Sequence, residues 1–457
     1  MLVDFFLDVF LENKNKVAIL WENSSFDYSW LLEKINVWKR KIEESGIKPG
    51  TVTVIDATFN PDVCALIFAL IEKECILMPL YKPNQSINQK LLYVSEAEFL
   101  FKLNGTGEIE SKALHNKSFH PLYQILRNRK HSGLILISSG SSGEPKIVVH
   151  DFIPLLEKFR IKRKTLRTLN FLLFDHWGGL NTLFHTLSNG GTLVFTEDRS
   201  PNTICKLIQR HRVELLPASP TFLNLLLISE SYKKYDLQSL KVISYGTEPM
   251  PKSVLNKANQ VFPDVKIQQT YGLIEVGVLR TKSEKNDSLW MKIGGEGYET
   301  RVVDGILQIK SNSTMLGYLN APSPFTEDGW FITGDRVEIK GQYLRILGRD
   351  SEIINVGGEK VYPVEVESVI QEMDGIAEVT VYGEKNPIVG NIVCAKVRLT
   401  KKYDEKEFVK QLKDHCRHKL QKFKVPVKVH LDEEKQHSYR FKKQKRNSEI
   451  MAKKSFV

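Results

Sequence analysis

Leu134-Ile135-Leu136-Ile137-Ser138-Ser139-Gly140-Ser141-Ser142-Gly143-Glu144-Pro145-Lys146 passes from a short apolar strand into a loop of serines, glycines and a lysine. Glycines let the backbone curl and aim N–H groups at an anion. Serine hydroxyls add donors, and the lysine adds a point charge. This is a phosphate-cradling composition. It is not a Walker A loop, because no Gly-Lys-Ser/Thr closes it and Pro145 blocks immediate helix entry. The alternative is a plain flexible serine-glycine connector; the position directly after a buried strand and the Pro-Lys end favour the cradle.

On both sides of this loop strand-like and helical segments alternate. Residues 1–125 hold a helical pattern over Phe26–Glu44 and a β-rich run, Thr51–Ala57, after the turn signal Pro49-Gly50. Val63–Leu80 reads as a helix followed by a buried strand. Between 130 and 245 the runs LILIS, FLLF, GTLVF, VELLPAS and KVISYG read as short strands between helices. Such alternation predicts layered α/β architecture. From about 290 to 348, RVVDGILQIK and QYLRILG are joined by tight glycine turns and predict an antiparallel β subdomain. After Gly348-Arg349 a helix, two strands and an amphipathic helix predict a separate small domain. The expected division is therefore 1–348, layered αβ subdomains plus a β subdomain, and 349–457, a small α+β domain.

A chain of 457 residues exceeds one ordinary core. Its net charge of +11 fits nucleic acid, an anionic membrane surface or phosphate-bearing ligands, and equally a basic solvated surface with no partner. No basic helix carries interleaved stacking aromatics, so no nucleic-acid partner is expected. Asp4 and Asp8 break the apolar N-terminus, and no positive segment precedes it, so it does not read as a signal peptide. Glu72, Lys73 and Glu74 interrupt the longest apolar stretch, so no membrane span is expected. Five widely spaced cysteines without CxxC argue against a disulfide framework or a zinc site and suit a reducing cytoplasm.

Three further segments follow in order. They are Tyr271-Gly272-Leu273-Ile274-Glu275, then Thr333-Gly334-Asp335 behind Asp328-Gly329-Trp330-Phe331, then Gly348-Arg349-Asp350-Ser351-Glu352-Ile353-Ile354-Asn355-Val356-Gly357-Gly358-Glu359-Lys360. Each alone is a turn with a nearby charge. As a set in this order they resemble the AMP-forming adenylating superfamily, which joins acyl-CoA synthetases, adenylation domains of non-ribosomal peptide synthetases and luciferases. The likeness runs from about residue 15 to 446 and is nearest to the acyl-CoA synthetases.

The resemblance implies ATP-dependent conversion of a small carboxylic acid to an acyl-adenylate, with Mg2+, then transfer to the thiol of CoA or phosphopantetheine. An acyl or peptidyl carrier protein is the alternative acceptor, and a non-catalytic member is a third reading. By resemblance, Ser138, Ser139, Gly140, Ser141, Ser142, Gly143 and Lys146 form the loop over the ATP phosphates. Gly246, Thr247 and Glu248 border the adenine slot; Tyr271 and Gly272 lie against adenine. Glu275 holds the metal, Asp335 binds the ribose hydroxyls, and Arg349 contacts ribose or phosphate. Asp350 and Ser351 sit at the hinge of a mobile C-terminal lid. His176, Trp177 and Gly178 border the acyl pocket, where Asp175 admits a second reading as a partner for a substrate ammonium.

The chain departs from the pattern in three places. Ile274 stands where a hydroxyl residue is usual, and Ser351 where Asp or Lys is usual. The lid motif Thr-x-x-Gly-Lys is replaced by Ser438-Tyr439-Arg440-Phe441-Lys442. That register makes Lys442 the catalytic lysine; counting back from Arg446 would select Lys443.

Overall fold

The computed structural model describes residues 3–81, 89–104, 108–139, 145–295, 297–438 and 441–443, with Ser139 by its backbone alone. The expected architecture is present: a large N-terminal domain of layered sheets and helices, and a small C-terminal α+β domain.

One seven-stranded sheet runs in the order Gly317–Tyr318, Pro145–Asp151, Gly133–Ser139, Ile76–Leu80, Val52–Asp56, Phe99–Leu103, Ile109–Ala113. Its central pairs are parallel, and its outer pairs are antiparallel. A second seven-stranded sheet runs Lys266–Gln269, Val242–Tyr245, Leu215–Ala218, Thr168–Leu169, Leu193–Phe195, Val17–Trp21, Ser24–Asp27. The N-terminal hairpin Val17–Trp21 with Ser24–Asp27 thus completes a sheet otherwise built from residues far along the chain.

The helix Pro61–Glu72 shows why the longest apolar stretch belongs inside. Asn60 caps it by accepting from the Val63 N–H at 2.9 Å, and Pro61 supplies a preset φ at its first turn. Every residue from Val63 to Ile71 is buried. Phe68 meets Phe6 and Phe184 edge-on, with centroids 5.2 and 5.6 Å apart. Such an aromatic seam cements the N-terminal helix to helices of both sheets. Among the described residues no helix is long and apolar enough to cross a membrane.

Two local expectations shift. The strand expected at FLLF lies instead at Thr168–Leu169. Beyond it the chain leaves the sheet, because Phe171 N–H turns back onto the Leu169 carbonyl at 2.9 Å. The helix expected from Phe26 begins at Tyr28, since Asp27 serves as its cap, accepting from Trp30 N–H at 2.7 Å.

A six-stranded antiparallel sheet follows, ending in Phe331–Lys340 and Tyr343–Arg349. The chain then passes through the 3-10 turn Asp350–Glu352 into a last sheet, where Ile376–Asn386 and Gly390–Leu399 form a long hairpin. Helices Pro363–Ile370 and Glu405–Lys419 cover it. All five cysteines are free and buried.

Candidate active site

The register of two strands places Asp335 opposite Arg349. Arg349 Nε lies 2.9 Å from Asp335 Oδ1, and the Tyr271 hydroxyl donates to Oδ2 at 2.6 Å. Tyr271 reaches them from the hairpin Tyr271–Leu273 with Gly277–Leu279. A Cβ at Gly272 would stand 2.6 Å from the Gly277 carbonyl, so this hairpin closes only around glycine. Burial holds the Asp335 carboxyl above its usual range, although Arg349 and the Tyr271 hydrogen bond pull it down. Burial and the neighbouring Asp335 push the Tyr271 phenol well up, so it is a donor at neutral pH. The three residues expected at adenine and ribose thus form one bonded corner, with both Asp335 oxygens engaged. A carboxylate offers about four lone-pair sites, so acceptor capacity for two further hydroxyl donors is left on Asp335.

Lys146, expected at the phosphates, stands on strand Pro145–Asp151. Residues i, i+2 and i+4 of a strand share a face, which puts Lys146 and His150 together. Lys146 Nζ lies 5.1 Å from the centre of the Tyr318 ring. The Tyr318 hydroxyl donates to Glu275 Oε1 at 3.1 Å. His150 is buried, with Nε2 2.6 Å from the Ile274 carbonyl. A carbonyl only accepts, so Nε2 carries the proton. Burial lowers this imidazole to about 4, which keeps it neutral and bonded to the turn that presents Glu275. Ser138 is buried at the strand end. The side chain of Ser139 and residues Gly140, Ser141, Ser142 and Gly143 lie outside the described residues. Among the described residues no cluster of three or more His, Cys, Asp or Glu could hold a metal.

Gly246 packs closely, since a Cβ there would meet Thr270 Oγ1 at 2.4 Å. Thr247 has φ +75, a strained conformation for a β-branched residue. Glu248 accepts from Thr221 N–H at 2.8 Å and from Lys443 N–H at 3.2 Å. It ties the large domain to the tail of the small one.

At Phe441 the backbone has φ +51, the left-handed conformation that glycine adopts freely. Phe441 N–H donates to Ser438 O at 2.9 Å, and Ser438 N–H to Lys442 O at 2.8 Å. The turn sends two adjacent lysines opposite ways. Lys442 Nζ lies 3.1 Å from His176 Nε2, in the large domain. Lys443 Nζ lies 2.6 Å from Glu367 Oε2, in the small domain's own helix. His176 Nδ1 accepts from Gly178 N–H at 3.1 Å, capping the helix Trp177–Leu187. Trp177 is buried. Gly179 is the more constrained of the two glycines: a Cβ would sit 2.1 Å from the Leu173 carbonyl oxygen. Asp350 accepts from Arg336 Nε and Nη2 at 2.9 and 2.7 Å, while Ser351 is exposed.

Sequence reasoning missed His150, Tyr318 and Glu367. Strand alternation from Lys146 was the available signal for His150. Tyr318 joins through pairing of Gly317–Tyr318 with Val148 and Val149, which no local pattern announces.

The AMP-binding enzyme family matches residues 8–319, and the AMP-binding enzyme C-terminal domain matches residues 365–439. A 2-succinylbenzoate–CoA ligase of Enterococcus faecalis is 27% identical over 347 residues, 70% of this chain and 69% of that protein. A long-chain-fatty-acid–CoA ligase of Mycobacterium tuberculosis is 29% identical over 321 residues, 65% of this chain and 62% of that protein. The solved amide bond synthetase McbA from Marinactinospora thermotolerans superposes with a TM-score of 0.80 at 20% identity, over 99% of both chains.

Proposed function

The chain belongs to the AMP-binding enzyme family, and on that premise we propose that it is an AMP-forming acid–thiol ligase. It converts a small carboxylic acid and ATP to an acyl-adenylate and pyrophosphate, then passes the acyl group to a thiol. The observation that carries this reading is Lys442, turned from the small domain toward His176 at 3.1 Å.

The roles follow from the chemistry of two anions meeting. A carboxylate must attack the α-phosphate, so the charge between them needs neutralising first. Lys146 and the loop 138–143 take the β- and γ-phosphates. Asp335, Arg349 and Tyr271 hold the ribose and adenine, beside Gly246, Thr247 and Gly272. Lys442 bridges the carboxylate and α-phosphate as the bond forms. His176, Trp177 and Gly178 border the acid. Glu275 fits as the protein's carboxylate for Mg2+, because that ion takes one or two carboxylates and fills its shell from phosphates and water. Bound there, the ion would neutralise phosphate charge. The 3-10 turn Asp350–Glu352, with Asp350 and Ser351, is the hinge between domains 1–348 and 349–457.

CoA is the acceptor we put first, because both curated relatives carry CoA ligase in their names. A phosphopantetheine on a carrier protein has the same thiol end and is the alternative. Five buried thiols suit a reducing compartment such as the cytoplasm. A panel of carboxylic acids in ATP–pyrophosphate exchange tests the reading: at least one acid should support exchange, and CoA or a loaded carrier should then receive the acyl group. Absence of exchange across aryl, aliphatic and amino acids would sink it.

A further inference from the structure

A lysine on a hinged domain helps a reaction only when its pose is fixed beforehand, and three consecutive residues of this chain are fixed from outside their own domain. The ring of Phe441 lies 5.4 Å from Phe171 and 5.4 Å from Phe222, both buried in the large domain. The Arg199 guanidinium sits 5.4 Å from the same ring. On the other side His437, from the small domain, stacks on it at 5.4 Å and 12°. The Phe441 carbonyl accepts from Ser219 Oγ at 2.6 Å. Ser219 Oγ also caps its own helix, accepting from Phe222 N–H at 3.1 Å. Two residues on, Lys443 N–H donates to Glu248. Lys442 stands between these two anchored neighbours.

The backbone makes the choice of side chain telling. At φ +51 glycine would be relaxed, and a residue with a Cβ is disfavoured. An aromatic ring persists there in spite of that cost, and it is wedged across the domain boundary.

We propose that Phe441 is a positioning residue: its ring latches the lysine loop onto Phe171, Phe222 and Arg199, holds Lys442 in the adenylating pose, and must withdraw before thioester formation. The proposal rests on the ligase reading and adds to it the side chain that sets the balance of the two half-reactions. Lys442 makes the charge contact; Phe441 acts through it and touches no substrate.

The test uses the full chain and three variants, Phe441→Gly, Phe441→Leu and Phe441→Trp. Pyrophosphate exchange should fall by roughly 10²-fold in Phe441→Gly, the scale of an ångström of misplacement. Thioester formation from supplied acyl-adenylate should be at least as fast as in the parent. Phe441→Trp should retain most exchange, and Phe441→Leu should fall between. Hydrogen exchange supplies a readout apart from activity: amides of 441–443 should lose protection in Phe441→Gly and keep it in Phe441→Trp. Equal slowing of both half-reactions, or unchanged protection of 441–443, would overturn the latch. If the parent exchanges with no acid, the ligase reading fails, and hydrogen exchange alone decides whether Phe441 latches the domains. If Phe441→Gly does not fold, Phe441→Leu is read by the same two criteria.

Discussion

The corner of Tyr271, Asp335 and Arg349 and the segment Phe441–Lys443 face the same proposed nucleotide, yet they are built in opposite ways. The corner stands on paired strands, with Arg349 as the last strand residue before the hinge turn; its bonds are made and its atoms desolvated before any ligand arrives. The lysine segment is a junction. Ser219 and Glu248 hold it from one side, and Glu367 from the other. A site whose bonds are already made should respond to mutation through ligand affinity. A site assembled between domains should respond through one step of a reaction and through the stability of the junction.

Substituting the two adjacent lysines sharpens this contrast most. Lys442→Ala should cost roughly 10²–10³ in pyrophosphate exchange, as for removal of one well-placed charge donor. It should leave the melting temperature nearly unchanged and spare thioester formation from pre-made acyl-adenylate. Lys443→Ala should act the other way. Glu367 is 1% exposed and lies 2.6 Å from the Lys443 ammonium, so removing that cation from a buried pair should cost about 3 kcal/mol of small-domain stability and lower the melting temperature. Should Lys443→Ala abolish exchange while Lys442→Ala keeps it, the lysine register moves by one.

The corner should break differently. Asp335→Ala should weaken ATP binding by about 1.5–3 kcal/mol, the scale of a hydrogen bond to a charged group, with acid affinity nearly unaffected. Titration calorimetry with each substrate separates this from misfolding, which would reduce both.

Gly179→Ala probes how tightly the large domain builds its own side of the junction. The added Cβ falls 2.1 Å from a backbone oxygen, which a side-chain shift cannot relieve. A loss of roughly 1–3 kcal/mol in unfolding free energy is expected. An unchanged unfolding midpoint would mean the helix start moves freely.

A pH dependence probes the small-domain side. Burial alone would raise the Glu378 carboxyl, but hydrogen bonds from His437 and Arg398 carry it down from 4.5 to about 2. A depressed folded value means stability present above the unfolded value and lost as pH falls. Glu378→Gln should therefore be less stable than the parent at pH 6, and the gap should close between pH 4.5 and 2. A gap independent of pH would assign the loss to packing.

Legibility in the sequence follows the same division. The motifs name Lys146, Tyr271, Glu275, Asp335 and Arg349 because each fixes a residue type and the element that carries it. Asp335 and Arg349 needed only the pairing of two neighbouring strands. Glu248 was read as an edge of the adenine slot; its bond to Lys443 N–H crosses 195 positions. His150 reaches Ile274 over 124. No local periodicity encodes such partners. The strand expected at FLLF failed because apolar content there serves aromatic contacts, Phe171 meeting Phe222 at 4.3 Å, and not a ladder. Phe441 was legible as a missing glycine and illegible as an anchor, since the ring's partners lie hundreds of residues upstream.

The five cysteines gain a meaning from the chemistry around them. An acyl-adenylate is a mixed anhydride that any thiolate nearby can attack. Cys64, Cys75, Cys205, Cys394 and Cys416 are all buried. Burial raises Cys75 and Cys205 to about 12 and Cys394 and Cys416 to about 11, and lifts Cys64 well above its ordinary value. The thiolate is the nucleophile, so these sulfurs stay inert at neutral pH. The protein's own thiols are thereby withheld from the activated acid of the proposed reaction, which is left for a thiol that arrives from outside.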